Sequence, residues 1–309
     1  MVLGEDLQIS SKRSLSSLVL FGKGFCMGSA DIIPGVSGGT VALITGIYEP
    51  LIDAIKSVNL LFIPYFFRGF VTRSYFTKAK ENICAIDFRF LIPLAVGIAA
   101  AFLLIANLIG LFLEGYPTYT YAFFFGLILS SSFFVYRLLP KITLSVPVFI
   151  LLGALSGFII VGLEAIQAHH SLPILFLSGV ITFCAMILPG ISGAFILLLL
   201  GQYSFLLQVL RGFTQMDMSG LASALSYVCG GLVGLLVLSR VLSYLIKEYR
   251  IATLSFLLGL MIGALRKPGE LIWSSPQNGM LTLFSAALGF CIVVLFGYYQ
   301  YRIQHPMSS

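Results

Sequence analysis

The stretch Ala30-Asp31-Ile32-Ile33-Pro34-Gly35-Val36-Ser37-Gly38-Gly39-Thr40 returns in altered form as Ala185-Met186-Ile187-Leu188-Pro189-Gly190-Ile191-Ser192-Gly193-Ala194-Phe195. Extended to Tyr48 and Tyr203, the two copies agree at nine of nineteen positions at a shift of 155, close to half of the 309-residue chain. The match then continues at a shift of 133, pairing Gly97 with Gly230, Thr120 with Thr253, Phe123 with Phe256, and Gly126-Leu127 with Gly259-Leu260. The first copy therefore holds a 22-residue insertion, in the basic loop from about Pro64 to Arg89. A duplication on this scale describes one unit used twice rather than two unlike domains.

The solvent of that unit follows from composition. Hydrophobic residues make up 59% of the chain and charged residues 10%, with a mean hydropathy of +1.02. A soluble domain carries about 25% charged residues. Several windows of about 20 residues are almost free of charge, the length a helix needs to cross a hydrocarbon core. The net charge of +6 comes from Lys and Arg scattered over short loops, which excludes a nucleic-acid face and reads as topology signals. Cys26, Cys84, Cys184, Cys229 and Cys291 sit singly, with no Cys-x-x-Cys spacing and no histidine nearby, and read as free packing thiols. Lys23 interrupts the first apolar run, so the start of the chain reads as a retained cytoplasmic segment, residues 1–22, rather than a cleaved signal.

The fold class is therefore an all-α polytopic membrane protein built as one integrated membrane domain. Its first repeat covers residues 23–163 and its second residues 172–301. In the first, a broken apolar stretch, Leu15 to Ile63, precedes the spans Phe90 to Leu113, Tyr119 to Leu139 and Leu144 to Leu163, divided by turns at Glu114-Gly115-Tyr116-Pro117 and Pro140-Lys141. In the second, Leu172 to Leu210 precedes Leu221 to Leu245, the short Ile251 to Leu265, and Gly279 to Tyr301. Each broken stretch, re-entrant or spanning, enters and leaves on one side, and three crossings follow. The second repeat must then start from the opposite face, so the repeats are inverted. With the N-terminus inside, fourteen of the eighteen Lys and Arg are cytoplasmic. Arg211, Arg266 and Lys267 fall outside, Lys56 is ambiguous, and both termini are cytoplasmic.

Non-helical backbone at membrane depth is tolerated where it is buried in protein or lines a wet cavity. Half-helices starting at Val36 and Ile191 would aim free N–H groups at a common centre, which suits an anion. The candidate binding residues are Pro34, Gly35, Ser37, Gly38, Gly39 and Thr40 in the first copy, with Pro189, Gly190, Ser192 and Gly193 in the second. Small residues also serve close helix packing, and for a single copy that reading is favoured. A matched inverted pair reverses the balance, because broken helices in corresponding places of two halves mark a transporter site. Asp31, whose counterpart is Met186, is either a proton carrier or a helix cap. Arg137 and Arg240, at the ends of spans, either neutralise a phosphate or anchor topology. Glu49, Asp53 and Lys56 are spaced to pair with one another, and Glu164 with His169 and His170 reads as an exposed outer loop.

Taken together, Gly28 to Thr40 and Ile187 to Ala194 resemble the bacterial polyprenyl-phosphate transporter family, long catalogued as a domain of unknown function, from about Lys23 to Tyr301. The resemblance implies a translocase that returns undecaprenyl phosphate, the lipid carrier of cell-wall building blocks, from the outer to the inner leaflet of the bacterial cytoplasmic membrane. It implies a polyprenyl-phosphate lipid and membrane lipids as partners and leaves a homodimer open. No cofactor, metal or nucleic acid enters. Met186, and Ala194-Phe195 in place of Gly39-Thr40, are where the second copy departs from the first. A channel or transporter for a small soluble anion is the alternative. A membrane lipid phosphatase ranks lower, since two of the three histidines lie in the presumed outer loop and the third is His305. Transport is expected to proceed by rocking of one repeat against the other.

Overall fold

The computed structural model describes residues 16–32, 37–59, 62–70, 74–137, 145–163, 169–214, 217–274 and 278–304, with the isolated positions 72, 139 and 143. Pro34, Gly35, Pro140-Lys141, Glu164 and His305, all invoked above, lie outside the described residues. Every regular element among the described residues is a helix. The first half runs α1 (Ser17–Asp31), α2 (Gly38–Ile44), α3 (Tyr48–Ser57), α4 (Phe62–Gly69), α5 (Ser74–Cys84), α6 (Phe88–Gly115), α7 (Pro117–Arg137) and α8 (Ser145–Val161). The second runs α9 (Leu172–Ile187), α10 (Gly193–Leu199), α11 (Tyr203–Thr214), α12 (Leu221–Glu248), α13 (Arg250–Ala264), α14 (Arg266–Ser274) and α15 (Gly279–Gln304).

Helices stand at all six expected spans, with ends displaced by a few residues where caps decide, and among the described residues four stretches are long and apolar enough to cross a membrane. Asp87 accepts from the Phe90 N–H at 3.1 Å and so starts α6 ahead of the apolar run. Two differences are larger. The insertion expected as a loop folds into α4 and α5, held by edge-on contacts among Phe66, Phe70 and Phe76. The short helix at Ile251 is also not a complete span: after Leu265 the chain turns straight into α14, and Arg250–Ser274 together are long and apolar enough to cross a membrane. Phe88–Ile105, Pro117–Arg137 and Leu221–Glu248 meet the same criterion. Leu103, Leu104, Leu111, Leu151, Ile159 and Leu283 are each at least half exposed, an outward apolar surface that suits lipid and not water. The chain is a membrane protein.

Four intimate helix pairs make the bundle: α1 with α6, α9 with α12, α8 with α13 and α7 with α15. Without a hydrophobic force between helices in lipid, close backbone approach must supply the packing energy, and glycines permit it. Gly24 lies against Leu94 and Gly28 against Ile98; Gly230 lies against Phe176 and Gly234 against Val180. Gly259 meets Ile150 and Gly263 meets Ala154, while Gly126 and Gly289 face each other's helices at Ala286 and Phe123. In the first three pairs these registers rise together along both helices, so the partners run parallel. The third long helix of each half packs on the second long helix of the other half, which exchanges α8 and α15 between them.

A side chain at such a crossing has nowhere to go. Gly259→Leu would drive its Cβ into the Ile150 carbonyl and is expected to cost about 3 kcal/mol or more through overpacking. Gel filtration of detergent-solubilised protein should show loss of the monodisperse species. Gly22→Leu, where a Cβ meets nothing within 4 Å, should leave it intact.

Candidate functional site

Both broken stretches fold as the same hairpin. Ser37 and Ser192 have extended backbone and act as N-caps, accepting from the Gly39 N–H at 3.1 Å and the Phe195 N–H at 3.4 Å. The half-helices consequently begin at Gly38 and Gly193, two residues later than the break alone suggests, and both last seven residues. Each ends alike. Gly46 (φ 70°) and Gly201 (φ 67°) take the left-handed conformation. Their N–H groups donate to Leu43 and Leu198, and the next N–H groups, of Ile47 and Gln202, donate to Ala42 and Leu197. That double bond closes the free carbonyls of a helix end and turns the chain into the next helix at Tyr48 and Tyr203.

The hairpins are closed at tip and base. At the first tip, Asp31 Oδ1 accepts from the Gly38 N–H at 2.7 Å, the bond of a cap on the half-helix α2. Its base is closed by Lys23, whose Nζ donates to the Thr45 carbonyl at 2.6 Å. At the second tip, Met186 covers Gly193 as Asp31 covers Gly38. Its base is closed by His170, which pairs with the buried Gln202 at 2.7 Å and stacks on Phe205 at 4.2 Å between ring centroids. His169 and His170 are exposed as expected, yet His170 is anchored rather than loose.

The two tips meet each other. Ser37 Oγ donates to the Leu188 carbonyl at 3.0 Å, and the Gly190 N–H donates to Thr40 Oγ1 at 3.0 Å. Gly39 packs on the Ile187 carbonyl so closely that no Cβ fits. Gly190 holds φ at +89° while its Cα lies against Met261 of α13. Ser37, Ser192 and Thr40 are each at most 2% exposed, and Gly38, Gly39, Pro189, Gly190 and Gly193 are buried. Asp31, Ser37, Gly38, Gly39, Thr40, Pro189, Gly190, Ser192 and Gly193 thus form one buried cluster joined by cross-tip hydrogen bonds.

Arg137 and Arg240 stand elsewhere. Arg137 stacks over Phe133 at 4.9 Å, and Arg240 donates to the carbonyls of Leu236 and Val58. Glu49, Asp53 and Lys56 do not pair with one another. Glu49 bonds Arg250 at 2.8 Å, Asp53 accepts from Ser243 at 2.9 Å and faces Lys247 at 3.7 Å, and Lys56 donates to Ser243 at 3.1 Å. These half-exposed pairs contribute at most about 1 kcal/mol each but fix α3 across α12 and α13. The contact missed from sequence is Lys267, whose Nζ lies 5.6 Å from the centre of the Phe195 ring beside the second tip. The available signal was length: α13 has fifteen residues and rises about 22 Å, short of a core about 30 Å thick, and Lys267 lies in its continuation within the candidate span Arg250–Ser274.

Apolar helices crossed through glycines around two broken hairpins that touch at their tips define a membrane transport protein. The chain belongs to the undecaprenyl phosphate translocase-like family, whose model matches residues 27–286. It is 38% identical over 255 residues to a polyprenyl-phosphate transporter of Vibrio cholerae serotype O1, covering 82% of this chain and 78% of that protein. To a polyprenyl-phosphate transporter of Staphylococcus aureus it is 28% identical over 255 residues, covering 79% and 83%. No solved structure matches the chain. The relatives are named as transporters, which bears out the non-enzymatic reading.

The capping role of Asp31 separates charge from shape. Asp31→Asn keeps an acceptor for the Gly38 N–H and should stay close to the parent in thermal unfolding. Asp31→Leu leaves that buried N–H unpaired and should lose about 1–3 kcal/mol.

Proposed function

We propose that the protein carries a polyprenyl phosphate, undecaprenyl phosphate in the bacterial cytoplasmic membrane, from the outer to the inner leaflet, admitting the phosphate between the two hairpin tips. The observation that carries this reading is the meeting of the tips through Ser37 to Leu188 and Gly190 to Thr40. Two parts of a site, brought from opposite halves of the sequence, share one buried polar spot. The family and the names of its relatives support the substrate class. The parallel packing of α8 with α13 supports the inverted arrangement: if consecutive long helices alternate in direction, α12 then opposes α6. The excess of Lys and Arg on one side supports placing both termini in the cytoplasm.

The hydrogen bonds that close the tips define what opening costs. An exchange of neutral bonds between protein groups for bonds to a phosphate changes the energy by only about 1 kcal/mol each, and bonds to a charged group are stronger. Ser37 Oγ and Thr40 Oγ1, with backbone N–H groups of the second tip, would turn from each other to the phosphate oxygens. The isoprenoid chain stays in lipid throughout. Arg240 and Arg137 then act as anchors at the ends of their helices and not as phosphate ligands.

The paired variant Ser37→Ala with Thr40→Val removes both cross-tip hydroxyls at nearly constant volume. In vesicles it should flip a fluorescent polyprenyl phosphate about tenfold more slowly, the effect of losing one or two bonds to a charged group. Unchanged flipping would remove the tips from the site. Phosphate or sulfate flux in parent vesicles that show no lipid flipping would establish the soluble-anion alternative instead.

A further inference from the structure

Two cations lie together on α14 and differ in what they touch. Arg266 is fully engaged: Nε donates to Glu270 at 2.6 Å, Nη1 donates to the Phe158 carbonyl at 3.1 Å, and its guanidinium sits 4.2 Å over the Phe158 ring. Lys267 is not. Among the described residues it takes part in no ion pair and no hydrogen bond, and its one polar contact is the face of Phe195. It is half-buried, and α14 is seated by the buried Pro268 and its packing on α7.

An ammonium inside a membrane crossing without a counter-charge is costly, and such residues mark substrate paths. The aromatic face recovers part of that cost, yet a lysine has three donors and an aromatic ring satisfies them poorly. The location gives the donors a use. Phe195 belongs to the first turn of α10, and its own N–H is held by Ser192 Oγ, so Lys267 stands beside the second tip. The Phe195 position is occupied in the first copy by Thr40, which crosses to the second tip. The first tip also holds a buried carboxylate, Asp31, and the second holds none at the corresponding Met186. The second tip therefore has a cation against its half-helix, where the first has a carboxyl group capping Gly38.

We propose that Lys267 is the cation that receives the phosphate group, drawing a phosphomonoester to the second tip before the tips part. This rests on the transport reading given above. The shared chemistry is a phosphate dianion, carried either on a lipid or free in solution.

The test uses the full chain in vesicles, with a fluorescent polyprenyl phosphate in one arm and inorganic phosphate flux in the other. Lys267→Gln and Lys267→Met remove the charge; Lys267→Arg keeps it; Lys80→Gln, at an exposed position of α5, controls for net charge. Loss of one charge-assisted contact should raise the half-saturating lipid fraction about tenfold in both neutral variants, with a smaller effect on the maximal rate. Lys267→Arg should recover most of it and Lys80→Gln should match the parent. Flipping that is normal in both neutral variants overturns the role of Lys267 and leaves the transport reading standing. A parent that moves inorganic phosphate in a Lys267-dependent way, without flipping lipid, keeps the phosphate site and overturns the lipid substrate. A parent that moves neither overturns both.

Discussion

Backbone polar groups that leave a helix inside a bilayer have no water to turn to, and each one left bare costs several kcal/mol. This protein opens its backbone twice at that depth, and the two openings complete each other. The Gly190 N–H finds Thr40, the Leu188 carbonyl finds Ser37, and Asp31 takes the Gly38 N–H. The rest of the bundle holds these partners within reach. Glycine-lined crossings bring α1 to α6 and α9 to α12 at near backbone contact, and each hairpin inherits its position from such a pair.

Much of this was legible as repetition. Ser37 and Ser192, Gly46 and Gly201, and Tyr48 and Tyr203 recur at one spacing because each does one local job: cap, left-handed turn, next helix start. Local jobs leave a trace in a single sequence. Contacts between distant segments do not, which is why the partners of Glu49 and Asp53, some 190 to 200 residues away, were assigned to near neighbours instead. Arg137 and Arg240 were weighed as phosphate partners or topology anchors from their charge and their place at the ends of spans, and their side chains reach Phe133, Leu236 and Val58. Lys267 was passed over because basic residues after an apolar run look like a loop, whereas α13 and α14 together make one candidate span that includes it.

The duplication has diverged where it matters for charge. Asp31 is matched by Met186 and Thr40 by Phe195, and a lysine outside the motif lies on that phenylalanine. A repeated scaffold thus carries unlike side chains at its two tips. The same divergence appears at the hairpin bases, where Lys23 closes the first and His170 with Gln202 closes the second.

The exchange of α8 and α15 between the halves has a mechanical meaning. Each half grips the other's final helix through a glycine-lined contact, like two hands with interlocked fingers. Swinging one half as a rigid body would have to pull both of these glycine-lined crossings apart.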